Sequence, residues 1–223
     1  MISRKTAVLT IFFFMLSICS FAQKNELSLS IGGITSSDQR ESILLGIPCP
    51  VGFPTCNQLS STTSAGVAIE GAFARQLVSF GAASLDVEVP VVSVPGRDVK
   101  IATAFLPIVP INASRSSLFF TPSARVKFFH SSPVSPFFSV GGGLAHAGTS
   151  ASVFGFGSSD STNNWALQFG GGLDFKTPLP YLSFRAQVRD FYAQGPFQSS
   201  GLVQVSPLRQ HNIFASGGIV LKF

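Results

Sequence analysis

The feature that most constrains this chain is period-two alternation, restarted eight times along its length. Successive side chains on a strand point to opposite faces, so apolar residues at every second position give a sheet one apolar face and one polar face. Leu27, Leu29 and Ile31 alternate with Ser28, Ser30 and Gly32. Ala65, Val67, Ile69 and Phe73 alternate with Gly66, Ala68, Glu70 and Ala72; Leu85, Val87, Val89 and Val91 alternate with Ser84, Asp86, Glu88 and Pro90. Phe120, Ala124, Val126 and Phe128 alternate with Thr121, Ser123, Arg125 and Lys127; Phe138, Val140 and Leu144 alternate with Ser139, Gly141, Gly143 and Ala145. Trp165, Leu167, Phe169, Leu173 and Phe175 alternate with Ala166, Gln168, Gly170, Asp174 and Lys176. Leu182, Phe184, Ala186 and Val188 alternate with Ser183, Arg185, Gln187 and Arg189, and Ile213, Ala215, Ile219, Leu221 and Phe223 close the series. Most segments reach the roughly nine to eleven residues that a tilted strand needs to cross hydrocarbon.

A water-soluble sandwich would alternate in the same way, and the connections separate the two folds. The stretches Thr35–Thr63, Ser93–Arg115, Gly148–Asn163 and Ala193–Gln210 are long, while Gln76–Val78, His130–Pro136 and Thr177–Pro180 are short. Long and short alternate strictly, so every long connection falls at one end of the strands. Outer-membrane barrels sort their loops this way, with short periplasmic turns and longer outer loops. A soluble sandwich has no reason to. The expected fold is therefore all-β: an eight-stranded antiparallel up-and-down transmembrane β-barrel over residues 23–223.

Composition points the same way. Only 11% of the residues are charged, against about 25% in soluble domains. The chain is 45% hydrophobic, yet its most apolar later run, Ile101–Ile111, is broken by Pro107 and Pro110. Lipid admits only helices and closed barrels, because every backbone polar group must be satisfied internally. Residues 1–22 read as a secretory signal peptide: Arg4 and Lys5, then apolar Ala7–Phe21, then Ser20-Phe21-Ala22 before a cleavage at Gln23. A retained anchor and lipid attachment at Cys19 are the alternatives. Removing Arg4 and Lys5 from 15 basic residues leaves 13 against 10 acidic ones, a net +3. No basic cluster interleaved with aromatics occurs, so nucleic acid is not an expected partner.

Three stretches carry a resemblance to a known family. They are Ile213–Phe223 with its final Phe and apolar residues at alternate positions before it, the run Pro136-Phe137-Phe138-Ser139-Val140-Gly141-Gly142-Gly143, and Phe169–Lys176 followed by a tight turn and Leu182–Tyr192. Together they resemble the small outer-membrane β-barrel proteins typified by OmpX, OmpW and the OmpA membrane domain. The resemblance spans residues 23–223 and implies residence in a bacterial outer membrane, contact with its lipid, and an assembly signal at Ile219, Leu221 and Phe223 read by the assembly machinery. Aromatic girdles in that family are rich in Tyr and Trp, whereas this chain has one Trp, two Tyr and 23 Phe.

The candidate site lies on the inner faces. Glu70, Asp86, Glu88 and Asp174, with Arg125, Lys127, Arg185 and Arg189, are expected to face the lumen. An eight-stranded barrel is just wide enough for side chains to fill it, and buried charges must be paired or solvated. A lumenal ion-pair network that plugs the barrel is the expectation, with Glu88 beside Arg125 or Lys127 as the specific pair. An ion or proton path is the alternative. Cys49 and Cys56, the only cysteines after cleavage, are expected to form a disulfide in the first outer loop; with no His near them, no metal site is expected. His146, Asp190 and His211 fall near the outer rim, where a membrane enzyme could use them, but no nucleophile motif accompanies them. Gly141–Gly143 and Gly170–Gly172 precede no helix, so they are not phosphate loops. The apolar stretch Val99–Ile111 could cover the barrel mouth or meet an extracellular partner.

The favoured reading is a plugged, non-enzymatic barrel with a structural or surface-interaction role and no cofactor. A small-solute transport barrel is the runner-up. A rim-site enzyme and a soluble lipocalin-like carrier, with its apolar faces turned inward, complete the alternatives.

Overall fold

A computed structural model of the chain describes residues 25–37, 39–42, 44–45, 58–103, 112–130, 132–153, 156–194, 203–204 and 209–223. The expected signal peptide, both loop cysteines and residues 104–111 of the apolar stretch lie outside the described residues.

Eight strands make the wall. They are β1 (Asn25–Ser36), β2 (Gly66–Phe80), β3 (Ala83–Thr103), β4 in two pieces (Asn112–Phe120 and Ser123–Phe128), β5 (Val134–Val153), β6 (Phe156–Lys176), β7 (Leu182–Gln194) and β8 (Arg209–Lys222). Each pairs antiparallel with its neighbours in sequence. β8 then pairs with β1 from Glu26↔Lys222 to Ser36↔Asn212, which closes the ring. Asn25 and Phe223 exchange both backbone hydrogen bonds at 3.0 and 3.1 Å, so the C-terminal residue completes the seam.

Polarity is the reverse of a soluble barrel. Leu27, Leu29, Ile31, Val67, Ile69, Phe138, Val140, Leu167, Phe169, Phe184 and Ile213 are exposed on the outer face. Ser28, Ser30, Glu70, Glu88, Arg125, Gln168, Asp174 and Arg185 are buried inside. Water would penalise such an outer surface and lipid accepts it, so the wall is built for a bilayer. The soluble lipocalin-like alternative required the opposite facing and is set aside on that ground.

Inward glycines let the wall curve. A Cβ on Gly143 would lie 2.0 Å from the Phe120 carbonyl oxygen, and one on Gly32 would lie 2.0 Å from that of Ala215. Neighbouring backbones approach there closer than any side chain allows. β4 is interrupted at Thr121-Pro122 because Pro122 has no N–H for the ladder; its carbonyl still accepts from the Gly142 N–H at 3.2 Å.

Several expected boundaries move. The first short turn is Gly81-Ala82, between the pair Phe80↔Ala83, and Gln76–Val78 lies within β2 at a register shift that adds Leu77. Gly81 takes a positive φ of 55°, which suits the first central position of a two-residue hairpin. Much of two expected loops is strand: β3 runs on to Thr103, β4 begins at Asn112, and β5 and β6 pair out to Val153↔Phe156. Gln39–Ser42 and Gln58–Thr63 also pair, and the latter continues along β3 as Leu59↔Thr103 to Thr63↔Val99. Apart from the β3 extension, whose alternation is broken by a register shift between Val94 and Arg97, these stretches are rich in Ser, Thr and Gly and lack an apolar face, so alternation does not reveal them; backbone pairing above the apolar band holds them extended.

Candidate functional site in the barrel lumen

The inward residues stack in three layers along the barrel axis. The first lies toward the short turns. Glu88, fully buried on β3, accepts from Arg125 Nη1 at 3.3 Å, Arg185 Nη1 at 3.2 Å and Arg189 Nη2 at 2.9 Å. Arg125 also reaches Asp86 at 2.7 Å, and Arg185 grips Asp174 through Nε at 2.7 Å and Nη2 at 3.0 Å. Lys127 lies 2.8 Å from Asp174 Oδ2. Arg189 Nε sits 3.1 Å from Glu70 Oε2, an ion pair too bent for a hydrogen bond, while Gln187 Nε2 donates to Glu70 Oε1 at 2.9 Å. Gly170 makes room for this: a Cβ there would lie 3.0 Å from Arg189 Cγ.

All eight charges expected inside are thus placed in one cluster, and a ninth joins them. Glu26, at the start of β1, accepts from Arg125 Nη2 at 2.5 Å, Lys127 Nζ at 2.6 Å and Arg185 Nη2 at 3.3 Å. It shares the inward parity of Ser28 and Ser30, one step before the first apolar residue that alternation picks out. That parity was the available signal. Five carboxylates therefore face four cations: Glu26, Glu70, Asp86, Glu88 and Asp174 against Arg125, Lys127, Arg185 and Arg189. Phe137 lies beneath the guanidinium groups of Arg185 and Arg125, at 4.7 and 5.6 Å from its ring centre. On the turn side, a polar pocket of about 130 Å³ lined by Asn25, Glu26, Asp86, Lys127, His130 and Lys222, among others, ends at this cluster.

The second layer is apolar. Phe119 and Phe191 stack with ring centres 4.6 Å apart, and Ile34, Val92, Val94, Ala145, Ala166 and Phe214 join them in one buried cluster. Alternation did not pick out this layer. Phe119 precedes outward Phe120, and two adjacent apolar residues give period two no preferred face.

The third layer, toward the outer end, holds Arg97, Arg115, Ser36, Gln210 and Asn212, all buried. Arg97 and Arg115 were expected in an outer loop. Val99, the start of the expected apolar loop, is likewise a buried position of β3.

The rim residues do not converge. His211 Nδ1 lies 2.6 Å from Asp190 Oδ2 on β7, while His146 Nδ1 lies 2.7 Å from Asn163 Oδ1 on β6. Asp190 and His211 form one exposed pair and His146 belongs to another. Trp165, 80% exposed, and Tyr192 mark the outer edge of the apolar band, and Tyr181 lies by the turns at its other edge. Tyr and Trp favour such interfaces because each joins an apolar ring to a polar atom.

Among solved structures, the outer membrane protein OprG from Pseudomonas aeruginosa superposes with a TM-score of 0.52 at 13% identity, over 91% of this chain and 97% of that one. The fold is that of the small outer-membrane β-barrels. The outer membrane protease OmpT from Escherichia coli gives a TM-score of 0.52 at 6% identity, over 92% and 99% of the two chains. Neisserial surface protein A gives 0.47 at 14%, over 89% and 97%. No family model and no curated protein matches the sequence. The small outer-membrane barrel fold and the apolar outer band agree in giving this chain an outer-membrane location and a lipid environment.

Proposed function

We propose that this chain is a plugged outer-membrane barrel with a structural or surface-interaction role, its contacts made by the strand ends and loops beyond the apolar band. The observation that carries this reading is the apolar layer of Phe119, Phe191 and Phe214 lying across the lumen beside a cluster of paired charges. An ion crossing the barrel would have to shed its water against aromatic rings, which costs several kcal/mol or more per charge. The separation of His146 from the Asp190–His211 pair supports a role without catalysis, although OmpT, which shares the fold, is a protease. Engagement of the assembly machinery by Ile219, Leu221 and Phe223 belongs to the same reading. Planar-bilayer recording of the refolded protein tests it. Silence across salts and voltages is expected; steady unitary currents that change in Glu88→Ala would sink the plugged barrel in favour of a transport barrel.

A further inference from the structure

The outermost lumenal layer holds two cations with a cost and no described counter-charge. Arg97 on β3 and Arg115 on β4 are direct partners across the strand pair. Both are inward and buried, 3% and 4% exposed. Like charges directly opposite each other on adjacent strands repel, and loss of water strengthens the repulsion. Among the carboxylates whose side chains are described, none lies within ion-pair distance of either. Asp98, next to Arg97, is exposed on the other face. The acceptors described are neutral: Arg97 Nη1 donates to Ser36 Oγ at 3.0 Å, and Arg115 Nη1 donates to Gln210 Oε1 at 2.7 Å. Arg97 Nε, Arg97 Nη2 and Arg115 Nε have no hydrogen-bond partner.

Two backbone devices put Arg97 there. Inward positions of β3 run Glu88, Pro90, Val92, Val94, and unbroken alternation would next turn Gly96 and Asp98 inward. A register shift between Val94 and Arg97, at Pro95-Gly96, moves the inward parity to Arg97 and Val99. Bulges re-aim side chains in this way. On β2, Gly66 leaves the space that the arginine stem occupies: a Cβ there would lie 2.6 Å from both Cγ and Cδ of Arg97.

The geometry points to a binding site for a tetrahedral oxyanion, a sulfate or phosphate group free or carried on a soluble molecule, between Arg97 and Arg115 at the outer end of the lumen. Guanidinium forks match such groups with paired, charge-assisted hydrogen bonds. Both side chains face the lumen, so the barrel wall separates them from the headgroups of surrounding lipid. The apolar layer beneath makes the site a place of binding rather than a step of passage.

The test uses the folded full barrel in detergent. Its unfolding temperature is followed by loss of the fast-migrating gel form, titrating sodium sulfate or inorganic phosphate against sodium chloride at constant ionic strength. The midpoint of the wild type should rise and saturate with sulfate and phosphate. Arg97→Gln and Arg115→Gln should each lose the saturable rise, keep the general effect of sulfate on burial, and unfold at a higher temperature than wild type in chloride because the repulsion is gone. A wild type with no saturable response, or a rise that persists in both variants, would overturn the site.

Discussion

At the residue scale, Glu88 shows how a lumen of charges is held together. Three arginines from two strands converge on its carboxylate, and water reaches none of the four side chains. A buried ion pair is weak evidence of net stabilisation, because desolvation offsets attraction, but removing one partner leaves the others uncompensated. Glu88→Gln should destabilise the barrel by about 3–5 kcal/mol, read as a lower denaturation midpoint in urea. Glu26→Gln should cost less, since its side chain keeps 15% exposure and water can reach its partners. Equal midpoints for Glu88→Gln and wild type would show that the cluster is solvated rather than dry.

Elements show where backbone shape overrides the simple pleat. The close approach of β5 and β4 at Gly143 leaves no space for a methyl group, the Phe120 carbonyl being 2.0 Å from where it would sit. Gly143→Ala should therefore deplete the compact, fast-migrating form on unboiled gels, whereas Gly33→Ala, where a Cβ meets nothing within 4 Å, should leave it intact. Similar yields for the two would mean that the β4–β5 spacing relaxes freely. The bulges at Leu77 and at Pro95-Gly96 act differently: each adds residues to one strand and swaps which face the following side chains take.

For the whole molecule, the inside-out polarity and the apolar band make a prediction about depth. Trp165 is the sole tryptophan, and it stands outward near the outer limit of the band. In vesicles its fluorescence should be quenched more by lipids brominated near the headgroup than by lipids brominated near the chain ends. The reverse order would shift the band along the axis and place Trp165 at mid-bilayer. The bilayer recording described above also belongs to this scale, because closure of the lumen depends on all eight strands at once.

The eight strands, the facing of their side chains and the sorting of short turns to one end were legible in the sequence, because alternation and turn chemistry are local. The inward parity of Glu70, Asp86, Glu88, Arg125, Asp174 and Arg185 could be read in the same way. Which of them meet could not, since Arg125 and Glu26 are 99 residues apart and only ring closure between β1 and β8 brings them together. The apolar layer was hidden because Phe119 and Phe120 are adjacent and equally apolar, so only packing decides which one turns inward. Arg97 and the rest of the β3 extension were hidden because a bulge reverses their facing, and the extensions of β5 and β6 because polar ribbons in water need no apolar face. Local periodicity is enough to specify a membrane barrel and the inward charges near its short turns, since those follow from an unbroken two-residue period; the apolar and outer layers of the lumen and the way all three stack come from tertiary structure, since they depend on bulges, packing and register across strands far apart in the chain.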